Sequence, residues 1–372
     1  MLDQDKQRME EMEVKCRRCL LPVKVTNGCK RLRCSRCHAE IPLQISYEAG
    51  QGSDGLTNKP RDNPDQNKNS SLPSLYSLFS ASDDCSGAVS SNNLASRKRA
   101  LICGVSYNKQ KYELKGTIND VDRMINFLHR FYSFPKNGIR VLAEVVVPGV
   151  LAPTRENLEE NLQWLVDGCK TGDSLVFYFS GHGLRQRDFV YDELDGFDET
   201  ICPVDFATKG MILDNDINAM IVKPLRKGVK LHAIIDACHS GTVLDLEYVY
   251  SHKRKQWMDN RPPNGAKKGT MGGIAYCLSA CHDDQMAADT TAFTKKKMTG
   301  AMTYCLEDAV KKKNGNLSYH ELLASMEETI AKAYESRCIS SKLFDKFFQR
   351  DFIQEPQLSC SETLNMDTKF EL

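Results

Sequence analysis

The stretch Lys230-Leu231-His232-Ala233-Ile234-Ile235-Asp236-Ala237-Cys238-His239-Ser240-Gly241 decides the reading of this chain. Leu231 to Ile235 is short, apolar and branched, and polar or small residues bound it, which predicts a buried strand. A cysteine follows where that strand gives way to a loop. Open α/β sheets place their chemistry there, outside the carboxyl ends of the strands. A second segment, Asp173-Ser174-Leu175-Val176-Phe177-Tyr178-Phe179, has the same shape and runs into Ser180-Gly181-His182-Gly183. Glycines flank this histidine and let backbone approach a ligand closely. The two segments are far enough apart in sequence for one crossover and a return to a neighbouring strand. A Cys at one strand tip and a His at the next make a nucleophile-and-base arrangement. Each residue alone has a plainer reading, since a free cysteine is most often a small buried hydrophobe and a lone histidine a structural residue. His239 is set aside because successive side chains of an extended chain point to opposite faces.

Ser180-Gly181-His182-Gly183 together with Asp236-Ala237-Cys238-His239-Ser240-Gly241 resembles the metacaspases, the caspase-like cysteine proteases of plants, fungi and protists. The resemblance covers about residues 98–372, and the N-terminal extension looks like that of the plant type I group. It implies an α/β, caspase-like three-layer sandwich with a mainly parallel central sheet. It implies an endopeptidase in which Cys238 attacks the scissile carbonyl as thiolate and His182 protonates the leaving amine. The oxyanion donors it implies are the backbone N–H groups of Gly183 and Cys238. It also implies an acidic substrate pocket at Asp120, Ser180 and Asp236, for peptide or protein substrates with Arg or Lys at the cleavage site. Thr117 stands where some relatives have cysteine. The plainer readings are a helix N-terminal charge for Asp120 and a loop solvator for Asp236.

Between His182 and Cys238 lies an acid-rich run: Asp188, Asp192, Glu193, Asp195, Asp198, Glu199, Asp205, Asp214 and Asp216, with Asp245 after the nucleophile. Alone, such a run reads as a solvated loop. Oxygen ligands in numbers also suit calcium. The resemblance implies calcium activation, with Asp198, Asp214 and Asp245 matching carboxylate positions and Asn215 replacing a common aspartate. An amide oxygen can still ligate, at the loss of one charge.

The 372 residues carry a formal net charge of +1, so no global pull toward nucleic acid or membrane is expected. Met1 to Lys15 is charged and has no apolar core, so no secretory signal is expected, and no apolar run reaches membrane-spanning length. The 15 cysteines then read as reduced thiols and metal ligands rather than disulfides.

Residues 1–45 predict a zinc finger. Cys16-Arg17-Arg18-Cys19 and Cys34-Ser35-Arg36-Cys37 form two CxxC knuckles, four thiolates for one tetrahedral zinc. A module this small cannot bury a useful core, so the metal would carry its stability. Cys29 and His38 are spare donors. The spacer from Leu20-Leu21-Pro22-Val23 through Gly28 and Arg33 resembles the lesion-simulating-disease class of plant zinc finger, which implies protein–protein contact and control of cell death. Its arginines and lysines make nucleic-acid binding a rival reading, against which no aromatic residue between the knuckles offers a stacking platform.

Residues 46–97 turn to Gly, Ser, Asn, Asp and Pro and predict a flexible tether. One apolar island, Leu72, Leu75, Tyr76, Leu78 and Phe79, is either a latch that docks on the catalytic domain or merely sticky. Residues 98–372 alternate strands with helices, which predicts a mainly parallel sheet between helical layers. The expected elements are strands at Arg99 to Tyr107 and Ile139 to Val147, the two site strands, and a strand at Gly272 to Ala280. Helices are expected at Thr117 to Tyr132, Thr154 to Gly168, Thr299 to Lys311 and Ser318 to Tyr334. A basic, turn-rich loop at 253–270 separates large-subunit-like (98–252) and small-subunit-like (271–372) parts. It reads either as a solvated loop or, with Lys295-Lys296-Lys297, as a place for self-cleavage.

The reading is a cysteine endopeptidase of the type I metacaspase kind, calcium-stimulated and self-processing. A regulatory zinc finger, family-level roles in programmed cell death or stress proteolysis, and a cytoplasmic location, with nuclear entry left open, complete it. The alternatives are a non-catalytic scaffold whose finger binds regulatory partners and a zinc-finger nucleic-acid binder.

Overall fold

The computed structural model describes residues 12–15, 22–25, 32–33, 40–41, 75, 97–238, 240–279, 289–290, 299–335 and 356–372. Two compact units divide the chain, Met1–Pro64 and Asp65–Leu372. In the first, β1 (Met12–Lys15) pairs antiparallel with β2 (Pro22–Val25), and β3 (Leu32–Arg33) with β4 (Glu40–Ile41). Cys16, Cys19, Cys34 and Cys37 lie outside the described residues, and zinc ligation remains an expectation.

The second unit is built on a central sheet. Its parallel strands are β5 (Lys98–Gly104), β6 (Ile139–Ala143), β7 (Ser174–Ser180), β11 (Lys230–Asp236) and β14 (Ile274–Ser279). A three-stranded sheet and a hairpin are added. One is the small sheet of β8 (Gly183–Arg187), β9 (Phe197–Ile201) and β10 (Ile212–Leu213); the other is β12 (Tyr248–Ser251) with β13 (Gln256–Asp259). Short strands β15 (Asp289–Thr290) and β16 (Thr299–Gly300) pair with each other, and β17 (Gln357–Cys360) comes last. The eight-stranded order is β13–β12–β17–β14–β11–β7–β5–β6, with β17 antiparallel to both its neighbours. From β5 the chain steps outward to β6, then returns past β5 to β7 and on to β11. This reversal makes the carboxyl ends of β5, β7 and β11 the crevice where such sheets bind ligands.

The pleat explains the layers. Alternate residues of a strand face opposite sides, so Leu101, Cys103, Leu175, Phe177, Leu231, Ala233 and Ile235 fill one core. Ala100, Ile102, Val176, Tyr178 and Ile234 fill the other. The first core is closed by α2 (Arg155–Val166) and by Ile217, Ile221 and Val222. Helices α1 (Thr117–Tyr132), α3 (Ala301–Lys312) and α4 (Tyr319–Glu335) close the second. The result is a three-layer α/β sandwich, as the sequence predicts. Thr154 caps α2, accepting from the Asn157 N–H at 3.3 Å. Ser133 ends α1 in the left-handed region, with its N–H on the Leu128 carbonyl.

Three sequence expectations need correction. The strands expected to run to Tyr107 and Val147 stop at Gly104 and Ala143, because the residues beyond leave the ladder to build loops. The basic run is not simply a turn-rich loop. Its start forms the β12–β13 hairpin at the sheet edge, and Lys268 is buried. The acid-rich run is not a solvated loop either, because Asp188, Asp192, Asp198, Glu199, Asp214 and Asp245 are all buried. Of the apolar island, only Leu75 falls among the described residues. It is buried in the core beside α1, and its N–H donates to Asp122 at 2.8 Å.

Candidate active site

Register brings the two motifs together. Strands β7 and β11 pair in parallel from Ser174 with Lys230 to Ser180 with Asp236. His182 and Cys238 therefore each lie two residues beyond the last paired rung. The Gly181 N–H donates to the Asp236 carbonyl at 3.3 Å and continues the pairing one step into the loops. Gly183 then lies so close to the main chain of Cys238 that a Cβ there would stand 2.0 Å from the Cys238 carbonyl oxygen. Only glycine fits this approach.

His182 is held from two sides. Its Nε2 lies 2.7 Å from the Tyr112 carbonyl oxygen. A carbonyl can only accept, so Nε2 carries the hydrogen and the neutral ring presents Nδ1 as its basic lone pair. The Tyr107 ring lies 4.6 Å from the imidazole, centroid to centroid. The Tyr107 hydroxyl accepts from the His182 N–H at 2.9 Å and donates to the Cys202 carbonyl at 2.6 Å. Sequence reading finds no third group to orient the histidine. The orienting atom is a backbone carbonyl, which no residue type reveals, and Tyr107 sits in the loop mistaken for strand.

Cys238 is partly exposed. Cys202 lies nearby and is buried. Burial, with the Cys238 sulfur as an added negative neighbour, pushes its thiol up to about 12. Cys202 therefore stays protonated near neutrality.

The expected pocket residues also converge. Asp120 on α1 and Asp236 at the end of β11 are buried and both meet the start of α3. The Gly300 N–H donates to Asp120 at 2.9 Å, and the Thr303 N–H and hydroxyl donate to one Asp236 oxygen at 3.0 and 2.8 Å. Thr303 also shares a 2.6 Å hydrogen bond with the Tyr178 hydroxyl. Burial, then the charges of Asp120 and Asp236, hold Tyr178 well above the usual phenol range. The positive end of α3 offsets part of the cost of gathering two carboxylates. Ser180 is buried beside them in register with Asp236. Thr117 shares a 2.7 Å hydrogen bond with Ser106. Thr303 and Gly300 carry no sequence signal for this role.

Part of the acid run folds into a buried cluster, while Asp195 and Asp216 stay exposed and pair with Arg185 and Arg155. Carboxylate oxygens of Asp188, Asp192 and Asp198 lie within 4.8 Å of one another, as do those of Asp192, Glu193 and Asp245. Asp192 belongs to both groups. Of the four residues expected to bind calcium, Asp198 and Asp245 fall in different groups. Asp214 accepts from the backbone of Glu199 and Asn215, at 2.6 and 2.7 Å, and Asn215 meets Lys268. One oxygen each of Asp192 and Asp198 is buried without a hydrogen-bond partner. An all-oxygen donor set with such orphaned atoms fits a hard divalent cation. Burial and the charges of Asp245 and Asp214 push Glu193 up to about 10, and burial with Asp245 raises Asp214.

Comparison with known proteins agrees with this geometry. Residues 98–247 match the metacaspase peptidase C14 domain. Metacaspase-1 of Arabidopsis thaliana is 40% identical over 370 residues, covering 96% of this chain and 95% of that protein. This chain belongs to the metacaspase family. Metacaspase-3 of the same plant is 42% identical, covering 74% of this chain and 76% of that one. Metacaspases are cysteine peptidases, so the chain is a peptidase with protein or peptide substrates. Among solved structures, that of pro-sf-caspase-1 has a TM-score of 0.40 at 11% identity, covering 75% of this chain and 96% of that one. Among the described residues of this metacaspase, no helix is long and apolar enough to cross a membrane.

Proposed function

We propose that this metacaspase cleaves after Arg or Lys with Cys238 as nucleophile and His182 as its acid–base partner. The shared register of β7 and β11 carries this reading, because it sets both strand tips side by side. His182 Nδ1 takes the thiol proton, and the thiolate attacks the scissile carbonyl. The carbonyl oxygen, now negative, turns to the N–H groups of Gly183 and Cys238; each such donor is worth about 3 kcal/mol of barrier. His182 returns the proton to the leaving amine, and the peptide is left as a thioester on Cys238. Water, deprotonated by the same imidazole, releases it. Asp120 and Asp236, with Ser180, give the pocket an acidic floor suited to a guanidinium or ammonium.

The buried carboxylates support calcium stimulation. Asp198, Asp214, Asn215 and Asp245, with Asp192, would hold the ion, which would neutralise the cluster and order the loop that follows Cys238. The basic 253–270 segment is suited to self-processing by an enzyme of this specificity. A regulatory zinc finger at Cys16, Cys19, Cys34 and Cys37, cell-death or stress proteolysis, and action in the cytoplasm complete the proposal.

The test is hydrolysis of paired fluorogenic peptides ending in Arg and in Asp, with calcium and with chelator. Arg cleavage that needs calcium and vanishes in Cys238→Ala and His182→Ala is the expected result. Asp cleavage overturns the acidic pocket, calcium-independent Arg cleavage removes the metal, and activity in either variant overturns the dyad.

A further inference from the structure

Lys268 belongs to the basic segment between the two subunit-like parts, yet it is only 3% exposed. Its ammonium lies 2.6 Å from Asp192 and 3.7 Å from Glu193, and it contacts Asp245 and the Asn215 amide oxygen. Every ion pair to Asp192, Glu193 or Asp245 among the described residues comes from this one side chain. Although burial works against its charge, Asp245 and Asp192 raise the lysine above its ordinary range. A buried ammonium is costly unless it is paired and hydrogen-bonded, and here the pairing is with residues that would surround a metal ion.

One positive charge does not balance the cluster. Asp188, Asp192 and Asp198 form one group and Asp192, Glu193 and Asp245 a second that shares Asp192, and oxygens of Asp192 and Asp198 stay buried without a hydrogen-bond partner. These unpartnered atoms leave donors in place for a doubly charged ion.

The surroundings tie the lysine to two functional segments. Asn218 donates to the carbonyls of Lys268, Leu244 and Asp245 at 3.0, 3.0 and 3.1 Å, which fastens the basic segment to the loop after Cys238. Thr242 in that loop donates to Glu199 at 2.7 Å. Asp245 holds a left-handed φ of 56°, a conformation a non-glycine residue keeps only when its surroundings impose it. Asn264 donates to the Val190 carbonyl at 3.1 Å, fastening the same segment to the acid loop.

We propose that Lys268 is an internal cation that occupies this oxygen cluster in the metal-free enzyme, and that an oxygen-seeking divalent ion binds by displacing it. Displacement frees the segment around 260–270 while the metal takes over the pairing of Asp245. The same event then readies the loop after the nucleophile and exposes the basic segment to cleavage. This inference rests on the calcium reading above.

The test uses the full chain carrying Cys238→Ala, so that self-cleavage does not interfere. Calorimetric titration with calcium chloride is compared between this parent and a version that also carries Lys268→Met. About tenfold tighter calcium binding is expected without the competing lysine. The Lys268→Met protein is also expected to melt lower than the parent in chelator and to recover in calcium. Because that variant could fail to fold, amine-reactive footprinting of the parent gives an independent readout: Lys268 should be protected in chelator and labelled in saturating calcium. Unchanged labelling overturns the proposal, as does calcium affinity in Lys268→Met no tighter than in a parent that does bind. A parent that binds no calcium removes the metal reading itself, and the displacement with it.

Discussion

Thr303 donates twice to the same oxygen of Asp236, through its N–H at 3.0 Å and its hydroxyl at 2.8 Å. The first turn of α3 thereby fixes a carboxylate at the carboxyl end of β11. Thr303→Val keeps the shape and removes the hydroxyl. A hydrogen bond to a charged group contributes about 1.5–3 kcal/mol, so kcat/KM for an Arg peptide should fall by roughly tenfold or more. The loss should appear mainly in KM, because the role proposed for Asp236 is to bind the substrate's basic side chain and not the reacting carbonyl. Thr303→Ser should restore most of it. A fall in kcat with KM unchanged would mean that Thr303 serves the chemistry or the fold and not the pocket.

Gly183 admits no side chain. A Cβ would stand 2.0 Å from the Cys238 carbonyl oxygen and 3.3 Å from that of Thr200, both backbone atoms with no flexible end to yield. Gly183→Ala should push apart the two strand tips and carry its own N–H, the proposed oxyanion donor, out of place. We expect kcat to fall by about a hundredfold or more while the melting temperature moves far less. Near-normal kcat would show that the tips tolerate separation.

Much of this arrangement is legible in the sequence, and the limits have physical causes. The parallel strands stand out because burial on both faces makes them continuous apolar runs, as in Leu175 to Phe179 and Leu231 to Ile235. Helix α1 is read to its ends because apolar residues recur at helical spacing and Ser133 breaks the pattern. Other features depend on tertiary placement. The Tyr112 carbonyl that fixes the His182 tautomer has no residue signature. Tyr107 looks like one more strand residue. Lys268 looks like a solvated cation in a basic run, and only the converging carboxylates make it a buried one. Strand β17 is missed because Gln357 to Cys360 is short and owes its place to β14 and β12 on either side.

Thiol environment predicts selective modification. Cys238 is partly exposed, whereas Cys202 and Cys360 are buried with thiols pushed up to about 12. Burial also raises Cys103 and Cys305. Brief treatment with iodoacetamide near neutral pH should alkylate Cys238 and abolish peptidase activity while these four remain unmodified, because thiolate and access control the rate. Peptide mapping by mass spectrometry reads the result. Early labelling of Cys202 would show that the site opens further than its packing implies.

His232 predicts a pH dependence that is separate from catalysis. It lies under α4, stacked on Tyr276 at 4.5 Å between ring centroids, with Nε2 2.6 Å from the Tyr319 hydroxyl. Burial, with a smaller push from Lys230, drops its pKa from 6.5 to about 3. The fold therefore resists protonating it, whereas the unfolded chain accepts a proton near 6.5. Its contribution to stability is intact above 6.5 and drains away as pH falls toward 3, at up to about 1.4 kcal/mol per pH unit. His232→Gln keeps a neutral hydrogen-bonding group and removes the titration. Urea unfolding at a series of pH values should show the Cys238→Ala parent losing stability more steeply than its His232→Gln derivative between 6.5 and 4. Parallel curves would mean that the imidazole is protonated in the folded protein and that the Tyr276–His232–Tyr319 stack opens to admit the charge.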